Sequence, residues 1–230
     1  YAIRDYVVER GVPLLITVAS ADGLTQRLAA PNIFRTGTSG SQNSHPFGTW
    51  LYEQAGYRKL VLMASNYAMG YEQTGGFART FVDAGGEVVR VIYPPLGTPD
   101  FSPFLTSFNP SEADAVGAVF AGSDAIKFVT QYQEYGLKGA IPLVGTGLLV
   151  DDLIIEAQGG AAEGIVSATH YTAAIDSPEN QAFVKAYRDR FGRTPTLYAE
   201  SSYAAGQFIS TAVTQLNGDL SDSAAVLKAI

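Results

Sequence analysis

Lys59-Leu-Val-Leu-Met-Ala64, then Ser65-Asn-Tyr-Ala-Met-Gly-Tyr71, then a helical pattern from Glu72 to Ala84, then Glu87-Val-Val-Arg-Val-Ile-Tyr93: these 35 residues decide the fold. The first run is apolar at nearly every position, as a strand buried on both faces must be. In the helical pattern Phe77, Phe81 and Ala84 share one face. Gly85-Gly86 stops it, and Pro94-Pro95 closes the last run. Strand, helix and strand with such short punctuation make a parallel crossover unit.

The same alternation extends in both directions. Upstream, Pro13-Leu-Leu-Ile-Thr-Val-Ala19 reads as a strand buried on both faces and Asn32-Ile-Phe-Arg35 as a short strand. Gln42 to Ala55 reads as a helix, with Gly56 as its C′ residue. Downstream, strands are expected at Ala115–Ala121, Ile141–Gly145 and Gly164–His170. Helices are expected at Pro103–Phe108, Asp124–Tyr135 and Asp151–Ala157. The last sixty residues turn helical: Ser177 as N-cap with Pro178 at N1 and a run to Gly192, then Thr196 to Leu216, then a helix from Ser223. The expectation is an α/β fold with a doubly wound parallel sheet. Ligands in such folds sit at the carboxyl ends of the strands, so the loops that matter follow Val18, Ala64, Phe120 and Val144.

The 230 residues have a hydrophobic share of 47%, which is ordinary for a globular protein and excludes general disorder. Fifteen Lys and Arg against 22 Asp and Glu leave a net charge of −7 with no basic run, so nucleic acid is not an expected partner. Cysteine is absent and only His45 and His170 are present, so thiol catalysis, disulfides and His- or Cys-based metal sites are not expected, nor is any cofactor. No apolar run reaches the ~20 residues of a membrane span. The chain opens and closes inside helical patterns, which reads as a partial or trimmed chain.

Each loop has a functional and a structural reading. Val18-Ala-Ser-Ala-Asp-Gly-Leu-Thr25 lets a ligand approach the backbone and offers the Ser20 hydroxyl; it is equally a strand-to-helix turn with Ser20 as cap. Tyr67, Met69 and Tyr71 give the second loop adaptable apolar surface with polar tips, suited to a small-molecule cleft or to packing beneath the loop. In Ala121-Gly-Ser-Asp124, Ser123 or Asp124 reads as a cap. Gly145 and Gly147 lack the third glycine of a dinucleotide fingerprint. Asp151-Asp152 reads as a solvated pair at a helix start, His45 as exposed at another, and His170 as a structural group. No nucleophile, base and orienter assemble, so no enzyme is expected.

Seven short segments then occur in order: Gly11-Val-Pro-Leu-Leu15, Phe34-Arg-Thr-Gly37, Asn66-Tyr67 with Gly70, Thr98-Pro-Asp-Phe-Ser102, Ala161-Ala-Glu-Gly164, Pro178-Glu-Asn-Gln-Ala-Phe183 and Tyr203-Ala-Ala205. In this order and spacing the chain resembles the extracytoplasmic solute-binding proteins of ABC importers, in the leucine/isoleucine/valine-binding class with the type I periplasmic binding fold. The resemblance implies two doubly wound parallel-sheet lobes. Residues 39–169 would be one lobe, and 1–38 with 170–230 the other, incomplete at its N-terminal strands. It implies capture of a small solute between the lobes by hinge closure, a membrane ABC permease as partner, a monomer, and a periplasmic or extracytoplasmic location.

Binding positions implied by the resemblance are Val18, Ala19 and Ser20 as the carboxylate-holding segment, Met69 where an aromatic lid residue is common with Tyr67 as its polar neighbour, Ala121, Thr146 and Gly147, and Tyr198 as an apolar contact. Amino-acid-binding members place an acidic residue after the fifth strand to meet the ligand ammonium. Here Gly145-Thr-Gly-Leu-Leu149 holds none before Asp151. A buried ammonium without a counter-charge is costly. The expected solute is therefore an organic carboxylate, aromatic in view of the tyrosines, with an amino-acid-like solute as the broader class. A sensor domain of the same fold, and an α/β enzyme using His170 or Asp151 as base, are the other readings.

Overall fold

The computed structural model describes residues 1–230. The chain divides into two compact units, one of residues 1–39 and 171–230 and one of residues 40–170.

The second unit is built on five parallel strands: β3 (Lys59–Ala64), β4 (Glu87–Ile92), β5 (Ala115–Val119), β6 (Leu143–Thr146) and β7 (Val166–Ala168). Their order across the sheet is β4-β3-β5-β6-β7. The pleat sorts the side chains of β3, which lies between β4 and β5. Leu60, Leu62 and Ala64 pack with Phe47, Leu51, Phe77 and Phe81 of α2 (Gly40–Glu53) and α3 (Ala68–Asp83). Val61 and Met63 face the other way, into a cluster with Phe101, Phe120, Phe128 and Leu149. That layer is covered by α4 (Ser102–Leu105), α5 (Gly122–Glu134) and α6 (Ile155–Gln158). Every residue of β5 is buried, which explains its unbroken Ala-Val-Gly-Ala-Val sequence.

The first unit carries α1 (Arg4–Glu9), the parallel pair β1 (Leu14–Ile16) and β2 (Ile33–Arg35), α7 (Pro178–Phe191), α8 (Leu197–Gln215) and α9 (Ser223–Ala229). A buried Asn32 donates from Nδ2 to the carbonyls of Val7 (2.8 Å) and Val12 (2.7 Å), tying α1 to β2. Ser177 caps α7 by accepting from Asn180 N–H, and Gly192 ends it at φ 67°. Phe183 of α7 stacks on Tyr203 of α8 at 4.6 Å.

Several expectations need correction. The strand expected over 13–19 spans only 14–16, because its partner β2 offers only Ile33 to Arg35 to pair with. The helix expected from Glu72 begins at Ala68, so Met69, Gly70 and Tyr71 are helical rather than loop residues. His45 lies inside α2, half-buried, and its carbonyl accepts from the Thr80 hydroxyl at 2.6 Å. Asp151 is buried rather than solvated, accepting from Leu153 N–H at 2.6 Å, and α6 starts four residues after it. Ser20 caps no helix, since a single 3-10 turn (Asp22–Thr25) follows β1.

Candidate functional site

The strand order of the second unit creates one point where the winding reverses. From β3 the chain passes through α3 to β4 on one side, then returns to β5 on the other. At such a switch point the two connections leave in opposite directions, opening a crevice beyond the carboxyl ends of the paired strands. β3 ends at Ala64 and β5 at Val119, and these two residues are register partners. The residues just beyond them are Ser65-Asn-Tyr67 and Phe120-Ala121.

Tyr67 and Ala121 are the N-cap residues of α3 and α5, both extended, and neither helix is capped by a side chain. Two helix N-termini therefore lie side by side at the strand ends, with backbone N–H groups and the positive ends of both helix dipoles toward the crevice. The Tyr67 hydroxyl donates to the Met69 sulfur at 3.2 Å. Burial, and then the nearby Asp124 carboxylate, raise the Tyr67 phenol above its usual value. Met69 itself is buried in the core layer under α3. Ala121 is half-buried.

Asp124, which reads as a cap in the sequence, has another role. Its carboxylate is buried, and Oδ2 accepts not from its own helix but from Gly97 N–H at 2.8 Å, while Lys127 Nζ lies 3.9 Å from Oδ1. It fastens the segment after β4 to α5, with the partly exposed Lys127 as its ion-pair partner.

Thr146 ends β6 and is buried, and its Oγ1 makes no hydrogen bond within the protein. Buried hydroxyls are rarely left so. Gly147 follows, and a Cβ there would lie 2.5 Å from Thr169 Cβ, so the glycine makes room for the end of β7. The stretch from Gly147 to Val150 is a 3-10 turn without an acidic side chain.

The remaining expected positions belong to the first unit. Val18 and Ala19 are exposed and Ser20 half-buried, all in the loop after β1. Tyr198 stands in the first turn of α8, half-buried, and its carbonyl accepts from the Ser202 hydroxyl at 2.8 Å. Sequence reading missed Arg35, whose guanidinium bonds to this loop at Ala19 and Ala21.

The family model described as "Periplasmic binding protein" matches residues 1–230. The chain belongs to the periplasmic binding protein family. Among solved members of similar fold is an ABC transporter substrate-binding protein from Sphaerobacter thermophilus, 40% identical, with a TM-score of 0.93 over 99% of this chain and 63% of that one. Another is a solute-binding protein of an ABC transporter from R. palustris in complex with benzoate, 33% identical, with a TM-score of 0.91 over 99% of this chain and 62% of that one. A curated relative is the Leu/Ile/Val-binding protein homolog 6 of Brucella melitensis, 30% identical over all of this chain and 59% of the relative. The periplasmic binding chain described here thus spans about three fifths of the length of such relatives. Its fold is the type I periplasmic binding fold, and none of its helices is long and apolar enough to cross a membrane.

Proposed function

We propose that this chain is part of the substrate-binding component of an ABC importer and takes a small aromatic carboxylate of the benzoate class. The observation that carries this reading is the convergence of Tyr67 and Ala121 at the β3/β5 switch point, on two helix N-termini that no side chain caps. Aromatic surface and backbone donors at one crevice suit a flat anion. The relative holding benzoate supports the same class. Within the unit, Thr146 adds a buried hydroxyl with spare hydrogen-bonding capacity.

Val18, Ala19, Ser20, Gly147 and Tyr198 complete the proposed contact set, with capture by hinge closure. The partner is a membrane ABC permease, the location periplasmic or extracytoplasmic, and the role binding without chemical change. The solved relatives from Sphaerobacter thermophilus and R. palustris are ABC transporter binding proteins, which favours this over a sensor. A second reading, an amino-acid-like solute, draws on the Leu/Ile/Val-binding relative. It needs a counter-charge for the ammonium, and the acid beside Tyr67, Asp124, is already held by Gly97 N–H and Lys127.

Calorimetric titration of the full-length protein with benzoate, 4-hydroxybenzoate, leucine and isoleucine separates the two. Saturable binding of the benzoates, with the amino acids far weaker, is the expected result. Tight leucine binding with silent benzoates establishes the second reading, and silence across all four overturns both.

A further inference from the structure

The loop after β1 contains no regular element beyond one 3-10 turn, and its Leu24 is buried in a cluster with Ile16 and Ile33. One guanidinium bonds to the loop at both of its ends. Arg35, the last residue of β2, donates from Nη1 to the Ala19 carbonyl at 2.7 Å and from Nη2 to the Ala21 carbonyl at 2.7 Å. Its Nε donates to Thr25 Oγ1 at 3.0 Å, at the loop's far end. Nη1 also reaches the Thr38 carbonyl at 3.2 Å.

These four acceptors have a pattern. Ala19 and Ala21 flank Ser20, so the fork fixes the backbone on both sides of the Ser20 hydroxyl. Thr38 is the next-to-last residue of the first unit before the chain enters α2 at Gly40. The adjoining residues brace the same strip. Thr36 Oγ1 donates to the Ser201 carbonyl of α8 at 3.1 Å. A Cβ on Gly37 would lie 2.3 Å from the Thr17 carbonyl oxygen, so β1 and this strip approach as closely as backbones can.

We propose that Arg35 is a positioning residue for solute binding: it sets the backbone around Ser20 and ties it to the Thr38 carbonyl at the exit of the first unit, so that affinity depends on a planar five-donor fork and not on charge alone. This rests on the binding reading above. A lysine carries the same charge but cannot address Ala19, Ala21 and Thr25 from one plane.

The test uses the full-length protein with benzoate as the probe, comparing wild type, R35K, R35M and T25V. Calorimetry gives the dissociation constant, and hydrogen exchange of the ligand-free protein gives the protection of residues 19–25, with α7 as internal control. R35K is expected to raise the dissociation constant ~10-fold and to speed exchange in 19–25 while α7 is unchanged. T25V, which removes one bond and is the milder variant should R35M fail to fold, is expected to do the same to a smaller degree. R35K that binds benzoate within twofold of wild type, whether or not the loop exchanges faster, overturns the proposal. So does weaker binding without faster exchange in 19–25. Wild type that binds neither benzoates nor amino acids overturns the binding reading itself, a result the exchange data cannot mimic.

Discussion

The Tyr67 hydroxyl rests on the Met69 sulfur at 3.2 Å, across the first turn of α3. The contact is weak as a hydrogen bond, but it aims the ring. One edge of the phenol is thereby held against the core layer that contains Met69, while the ring stays half-buried at the strand end. Replacing Tyr67 with Ala is expected to weaken benzoate binding about 10-fold or more by calorimetry, from the lost ring contact. Tyr67→Phe keeps the ring and should stay within a few-fold of wild type.

Because burial and Asp124 both raise the Tyr67 phenol, it stays neutral past its usual titration range. A benzoate titration repeated from pH 7 to pH 9.5 should therefore show no loss of affinity from this group. A decline centred below pH 10 in wild type, absent in Tyr67→Phe, would contradict that assignment.

Two glycines of α3 should respond in opposite directions to the same change. At Gly70 an added Cβ would sit 2.0 Å from the Ser65 carbonyl oxygen, a backbone atom that cannot step aside. Gly70→Ala is expected to cost about 1–3 kcal/mol in denaturant unfolding and to disturb the turn that carries Tyr67. At Gly75 the space is open and the position exposed. Gly75→Ala should stabilise the protein by about 0.5–1 kcal/mol through helix propensity.

Tyr132 is buried in the layer under α5 and donates to the Ile141 carbonyl at 2.9 Å. Burial pushes its phenol well above the ordinary value of 10.0. The native state keeps the proton at a pH where the unfolded chain releases it. The stability from Tyr132 is thus complete below about pH 10 and declines as pH rises beyond it. Tyr132→Phe should lose about 1–2 kcal/mol at pH 7 and show a shallower decline of stability above pH 10. An unchanged alkaline slope in denaturant melts would refute this.

All five strands of the sheet in residues 40–170 lie within or beside the apolar runs that announce them, though β5 and β7 are shorter than Ala115–Ala121 and Gly164–His170. Lys59–Ala64 and the Ser177-capped helix to Phe191 stand where the apolar run and the Ser-Pro start put them. Legibility failed where tertiary contacts decide. Nothing local tells a seven-residue apolar run that its partner strand offers three residues, so β1 stops at Ile16. Nothing local shows that Ser65-Asn66-Tyr67 ends in an extended cap from which a helix starts at once, since α3 has no side-chain capping signal to read. At the candidate site, the residue types at 67, 69 and 121 were visible in the sequence. Arg35 and Asp124 act on residues 16 and 27 positions away, and that separation is why they were not.

A crystal structure of the full-length protein grown with benzoate is the decisive measurement. The aromatic ring is expected in van der Waals contact with Tyr67 and Ala121 beyond the carboxyl ends of β3 and β5. Benzoate bound elsewhere on the protein, with that crevice filled only by solvent, would contradict that placement.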